Sequence, residues 1–379
     1  MPHLFSPLRL RGIELPHRIL VSPMCQYSSV DGFANEWHLV HLGSRAVGGA
    51  AIVFTEATAV APEGRISPQD LGIWKDEHIE PLARITHFLH QQGAVPGMQL
   101  AHAGRKGSTY RPWNAKQGEI SVADGGWQVV GPSPLRFDHN YPQPRELSPA
   151  EISVVPRAFA AAAKRALAAG FRCLDLHSAH GYLLHQFFSP LSNHRTDEYG
   201  GSFDNRTRLA REVVAAVREV WPDHLPLFVR ISATDWAEGG WTVEESVELA
   251  RKLGALGVDL IDVSSGGLTP AQKIVTGPGY QTGFSERIMR ESGVKTGAVG
   301  MITHPVQADH IIRTGQAEVV LLAREMLRDP YFPLRAAREL RHPISWPAQY
   351  TRAAPSSTPA RGEVDGAKYA RLCKPDERP

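Results

Sequence analysis

Eight short runs rich in β-branched and apolar residues recur along the chain, at 17–22, 50–55, 94–100, 171–176, 227–231, 258–263, 296–299 and 318–322, with helical segments between them. Such alternation is the signature of βαβ units and a parallel sheet. The intervening segments, among them ISVVPRAFAAAAKRALAAG and TVEESVELARKLGALG, carry apolar residues at three- and four-residue spacing and end in Gly, as helix C-termini do. Eight strand and helix pairs predict a (β/α)8 barrel rather than an open doubly wound sheet. The third unit breaks the rhythm. Between Leu100 and the helix starting near Ser148 lies a long stretch rich in Gly, Pro, Trp and Asp, which predicts a capping excursion. Residues 1–353 read as a single barrel domain, and 354–379 as a polar, Pro-rich tail with no need to order.

The charge balance narrows the partners. Lys plus Arg number 41 against 39 Asp plus Glu, leaving +2 with no basic block, so nucleic acid and an anionic membrane are not expected partners. No apolar run reaches the ~18 residues of a membrane span, and the opening MPHLFSPLRLRG lacks a secretory apolar stretch, so a soluble cytoplasmic protein is expected. Cys25, Cys173 and Cys373 fit neither a disulfide framework nor a CxxC metal knuckle, and they are too few for an iron–sulfur cluster.

In a (β/α)8 barrel the chemistry sits at the carboxyl ends of the strands. Taken in order, those ends carry Pro23, Met24 and Cys25, then Glu56 and Ala57, Gln99 with His102, His177 with His180, Arg230, Ser264 and Ser265, Gly300, and Ala323 with Arg324. The densest chemistry is HSAHGY, where Tyr182 follows the two histidines. One reading is a metal-dependent hydrolase, with His102 as third ligand beside His177 and His180. The other is oxyanion binding by two neutral imidazoles and proton delivery by a phenol. The loops after strands seven and eight suggest a phosphate site, since Gly300 permits close backbone approach and Arg324 can fork onto phosphate oxygens. Neither GxGxxG after a strand nor GxxxxGK[ST] occurs.

Six motifs in barrel order carry a family resemblance: SPMCQYS at 22–28, TEATAVAPEGRIS from Thr55, QLAHAGRK from Gln99, HSAHGYLLHQF from His177, SPLSNHRTDEYGGSFDNR from Ser189 and VRISATDW from Val229. From residue 4 to 352 the chain resembles the Old Yellow Enzymes, FMN-dependent ene-reductases on a (β/α)8 barrel, and is most similar to the thermophilic-like subgroup that includes xenobiotic and chromate reductases. The resemblance implies that Ser22, Pro23, Met24, Cys25, Ala57, Gln99 and Arg230 contact the flavin ring and ribityl chain, Arg230 placing positive charge near its N1/C2 edge. Ala323 and Arg324 fall where the family binds the FMN phosphate, next to the Gly300 loop read above as part of the same site. Many relatives have Gly-Arg where this chain has Ala323-Arg324.

The resemblance further implies that NADPH or NADH reduces the flavin and leaves, after which an activated alkene binds in the same place. His177 and His180 would grip its carbonyl or nitro oxygen, Tyr182 would protonate the α-carbon, Tyr27 would contact the substrate, and no metal is involved. PAQYTR at 347–352 matches an element that relatives lend to a neighbouring subunit, which nominates Arg352 and predicts a homodimer or homotetramer. A tRNA-reducing flavin barrel would want a basic face, which +2 does not offer. A non-catalytic flavin carrier would be yellow without turning over an enone.

Overall fold

The computed structural model describes residues 3–355; residues 356–379, where most of the expected tail falls, and Cys373 with it, lie outside the described residues. All eight predicted strands form and close on one another in sequence order as a parallel barrel. They are β1 (Ile19–Val21), β2 (Ile52–Ala59), β3 (Val95–Ala101), β4 (Cys173–Ser178), β5 (Leu227–Ser232), β6 (Leu260–Ser264), β7 (Lys295–Ala298) and β8 (Val319–Leu322). The register aligns Gln99 with Asp175, His177 with Arg230, and Arg230 with Asp262, so neighbouring strands bring these side chains to adjacent levels.

β2 outruns its predicted end at residue 55 by continuing to Ala59, and its pairing with β3 shifts between Phe54 and Ala57. Such an irregularity re-aims side chains. Phe54 points into the barrel floor below it, while Glu56 above it turns toward the loop after β1.

The helices follow from their stripes. In α4 (Arg208–Val220) the buried residues are Leu209, Ala210, Val213, Val214 and Val217, a single helical face laid on the sheet. The others of the ring are α1 (Glu36–Val47), α2 (Ile79–Gln91), α3 (Val154–Ala168), α5 (Val243–Ala255), α6 (Thr282–Ser292), α7 (Pro305–Arg313) and α8 (Phe332–Glu339). α5 opens on a capping box in which Thr242 and Glu245 satisfy each other's backbone N–H groups. Each fully buried Leu, Val or Phe of this shell contributes about 1.5–3 kcal/mol relative to exposure.

Two features were not legible as elements in the sequence. An N-terminal hairpin, Leu8–Leu10 with Ile13–Leu15, plugs the bottom of the barrel, where Leu8, Leu10 and Leu15 pack with Leu20, Phe54, Phe228 and Leu260. Within the excursion after β3, Val130–Gly131 pairs with Arg145–Glu146 in parallel. The excursion does cap the mouth: Arg105 donates to the carbonyls of Leu135 (3.0 Å) and Leu268 (2.8 Å), tying it to the loop after β6.

Candidate active site

The carboxyl ends of β1, β3, β4, β5 and β6 deliver Ser22, Gln99, His177, Arg230 and Ser264 to one mouth, all of them buried. Arg230 donates to the Ser22 hydroxyl at 3.0 Å, linking opposite sides of the barrel. Above them stands the loop of Pro23 to Tyr27, each residue half-buried. The Glu56 carboxylate holds that loop, accepting from the Gln26 backbone N–H at 2.8 Å while His38 of α1 sits 3.2 Å from its other oxygen. Tyr27 adopts a left-handed φ of 48°, a conformation that a non-glycine residue keeps only when its surroundings enforce it. Burial pushes the Cys25 thiol up, with Asp70 and Glu56 adding to the effect, so it is a neutral, polarisable group rather than a thiolate.

His177 and His180 meet with Nε2 of the first 3.4 Å from Nδ1 of the second. Burial holds both well below the usual imidazole range, and the Arg230 charge adds to this, so both are neutral at pH 7. A neutral imidazole has one N–H, and its other nitrogen decides where that proton sits. His177 Nδ1 accepts the Ala179 backbone N–H at 3.3 Å, which leaves the proton on Nε2. His180 Nε2 lies 2.7 Å from the Ser264 hydroxyl. When that hydroxyl donates, the His180 proton moves to Nδ1, and two N–H groups then converge on one point. Only an electron-rich oxygen suits that point. Replacing Ser264 by alanine is therefore expected to weaken binding of a phenolate such as 4-hydroxybenzaldehyde by about fivefold, the worth of one hydrogen bond of about 1 kcal/mol, with Ser264→Thr retaining it. A calorimetric titration measures this; equal affinities for wild type and alanine variant would remove Ser264 from the assignment.

The turn carrying His180 is over-determined. Its φ is 58°, its N–H donates to Ser232 Oγ at 2.9 Å, and Lys106 Nζ donates to its carbonyl and to that of Gly267, each at 2.9 Å. A Cβ on Gly181 would stand 2.3 Å from the Gly267 carbonyl oxygen, so the loops after β4 and β6 touch backbone to backbone. Lys106 lies within the QLAHAGRK motif, but nothing in the sequence shows that two carbonyls face it. Burial lowers its pKa to about 7, with Arg105 adding to the effect.

Tyr182 packs edge-on against His177 at 5.0 Å between centroids, with Lys106 Nζ 5.3 Å from its own ring. It lines a cavity of about 250 Å³ together with Tyr27, Lys106 and Tyr141. Burial raises the Tyr182 phenol, with Cys25 and Asp70 contributing, so it keeps its proton.

A second cavity, also about 250 Å³, opens between the ends of β6, β7 and β8 and is lined by Gly300, Met301, Ala323 and Arg324. Gly300 has φ +121°, and a Cβ there would meet Gln281 Nε2 at 2.8 Å. Arg324 is exposed and enters no ion pair among the described residues. Ala323 has a negative φ of −99°, so the methyl that stands where many relatives have glycine does not meet the left-handed penalty.

Two sequence candidates lie elsewhere. His102 turns away from the pair: its Nδ1 accepts the Gly104 N–H at 3.1 Å and it lines a different cavity, with Glu63 and Leu183. Among the described residues no group of three or more His, Cys, Asp or Glu is placed to share an ion. The hydrolase reading thus loses its third ligand. Arg352 occupies the exposed turn Ala348–Ala353 and lines neither cavity of its own chain.

A model of the NADH:flavin oxidoreductase / NADH oxidase family matches residues 3–342. The chain belongs to that family. An NADPH dehydrogenase of Geobacillus sp. (strain WCH70) is 48% identical over 351 residues, covering 92% of this chain and 98% of that protein. Morphinone reductase superposes with a TM-score of 0.75 at 26% identity, covering 96% of this chain and 95% of its own. The Old Yellow Enzyme homologue from Zymomonas mobilis gives 0.73 at 25% identity, over 91% and 94%. For a flavin oxidoreductase, the donors at the mouth and around the second cavity suit FMN. Arg324 beside the opening at Gly300 suits a phosphate. Arg230, buried at the mouth with Nε 3.3 Å from Asp262 Oδ2, is a fixed cation that suits a cofactor gaining negative charge. No helix among the described residues is long and apolar enough to cross a membrane.

Proposed function

We propose that this protein is an FMN-dependent ene-reductase that reduces the C=C bond of α,β-unsaturated carbonyl or nitro compounds with NAD(P)H. The observation that carries the reading is the facing pair His177 Nε2 and His180 Nδ1, two neutral imidazoles whose partners can leave both as donors toward a single oxygen. FMN, when bound, supplies the chemistry of accepting a hydride from NAD(P)H and passing it to the β-carbon of the alkene. Ser22, Gln99, Ala57 and the Pro23 to Cys25 loop hold its ring, Arg230 offsets the negative charge it acquires, and Gly300, Ala323 and Arg324 hold its phosphate. His177 and His180 bind the alkene's activating oxygen, where charge collects as the carbon skeleton is reduced. Tyr182 delivers its phenolic proton to the α-carbon, and Tyr27 lines the same cavity as Tyr182 from the opposite loop.

A purified yellow protein that oxidises NADPH anaerobically, and is then reoxidised by 2-cyclohexenone in a separate step, is the expected result. A colourless protein, or a yellow one that cyclohexenone leaves reduced, overturns the reading.

The oligomer belongs to the same proposal. Arg352 is exposed and apart from its own mouth, as a residue that completes a neighbour's site would be. Arg352→Ala should raise the KM for the enone several-fold with NADPH oxidation by the flavin unchanged, and the active species should sediment as a dimer or larger. A fully active monomer dismisses the role.

A further inference from the structure

One layer below the histidines the barrel interior is polar, and beneath that it is hydrocarbon. The floor is Phe54, Cys173, Phe228, Leu260 and Leu321. Between floor and mouth lie Gln99, Asp175, Arg230 and Asp262, from β3, β4, β5 and β6, exposed by 1%, 1%, 6% and 0%. Two carboxyl groups thus share one guanidinium in a buried layer.

The hydrogen bonds do not balance them. Gln99 Nε2 donates to Asp175 Oδ2 at 2.8 Å, and Arg230 Nε stands 3.3 Å from Asp262 Oδ2 without hydrogen-bond alignment. Asp175 Oδ1 and both oxygens of Asp262 are buried with no hydrogen-bond partner among the described residues. Fully ionised, the layer would carry a net negative charge with three unsatisfied oxygens, and a buried group in that position takes a proton rather than stay charged.

Among the described residues, nothing else facing the layer supplies the missing charge. From β1 it meets the Ser22 hydroxyl, from β2 Phe54, from β6 Ser264, and from β8 Leu321. On β4, His177 above is neutral, and burial pushes the Cys173 thiol below up, so it keeps its proton. Among the described residues Arg230 is the one cation in the layer, and the proposed function also requires it for the flavin.

We propose that Asp175 and Asp262 act as a proton-holding pair, which takes up a proton from solvent when the bound FMN is reduced and returns it on reoxidation. This rests on the reading of the site as an FMN cradle. The balance is simple: hydride from NAD(P)H carries two electrons onto the flavin, which becomes anionic, and a solvent proton joins the carboxyl pair to offset the added charge. When hydride leaves for the β-carbon, Tyr182 protonates the α-carbon and regains a proton from solvent, and the pair returns its own proton to solvent. Asp175 and Asp262 touch neither substrate nor reacting atoms, so they are positioning residues, acting through Gln99 and Arg230.

Titration supports the geometry. Burial pushes Asp175 up to about 7, Asp262 adding to the shift while Arg230 and the Gln99 hydrogen bond oppose it, and burial raises Asp262 as well against Arg230. With two interacting carboxyls the proton belongs to the pair. A negative charge arriving near Arg230 raises the pair's proton affinity, so uptake is strongest around neutral pH.

The test is a reduced-minus-oxidised infrared difference spectrum of the FMN-loaded wild type, paired with the flavin midpoint potential measured against pH. A carboxylic-acid C=O band that grows on reduction, shifts in D2O and disappears in Asp175→Asn supports the pair. So does a midpoint potential that falls more steeply with pH near 7 in wild type than in Asp175→Asn. The wild-type spectrum needs no variant, so a misfolded Asp175→Asn leaves the question decidable. A yellow, reducible wild type with no such band refutes the proton-holding pair and leaves the ene-reductase standing; a colourless protein removes both.

Discussion

Replacing Tyr182 by phenylalanine is expected to slow the reoxidation of the reduced enzyme by 2-cyclohexenone by about 10² to 10⁴-fold, the range for loss of a positioned general acid. The reductive step with NADPH should change little, because hydride arrival at the flavin needs no proton from this phenol. The structure gives the reason. The ring is held edge-on by His177 and faced by Lys106, so phenylalanine keeps its packing and loses only the hydroxyl. Burial keeps the phenol protonated, which is the state a donor needs. Single-turnover stopped flow separates the two half-reactions. If Tyr182→Phe reoxidises at the wild-type rate, a water or the Lys106 ammonium supplies the proton and Tyr182 is a wall of the cavity.

Much of this architecture could be read from the chain because two periodicities coexist in it. The eight β runs and the apolar stripes between them state the barrel, and the strand-end rule then places Gln99, His177 and Arg230 at one mouth. Strand limits were less legible. β2 extends through Ala59 because its irregularity at Phe54 and Ala57 lets Glu56 leave the barrel pattern and grip the Cys25 loop, a tertiary contact with no local signature. Asp175 and Asp262 were hidden for a related reason: each sits in a run that reads as a buried strand, and only closure of the barrel shows that both face one arginine. His102 erred the other way. It falls at a strand end by spacing, yet the left-handed Gly104 that follows turns the chain so that its ring faces a different cavity.

His177→Ala removes one of the two N–H donors, and the expected loss in alkene reduction is about 10² to 10³-fold, or about 2.7–4 kcal/mol of transition-state stabilisation. Alanine also withdraws the ring that steadies Tyr182, so part of a measured loss could be misplacement of the acid. His177→Asn separates the contributions: it returns an N–H donor without the ring, and recovery of a substantial part of the rate assigns the effect to the oxyanion contact. The same residue makes a prediction about stability. Its folded pKa lies well below the ~6.5 of an unfolded chain, so below that pH the unfolded state binds a proton that the native state refuses. Stability therefore falls as pH drops from about 6.5 toward the folded value, and His177 and His180 together steepen that fall. Removing His177 takes away one such proton, so denaturant unfolding of His177→Ala measured between neutral and mildly acid pH should lose stability less steeply than wild type. An identical slope would mean that the imidazole is charged in the native protein, and a charged His177 could not accept the Ala179 N–H that fixes its donor toward the substrate.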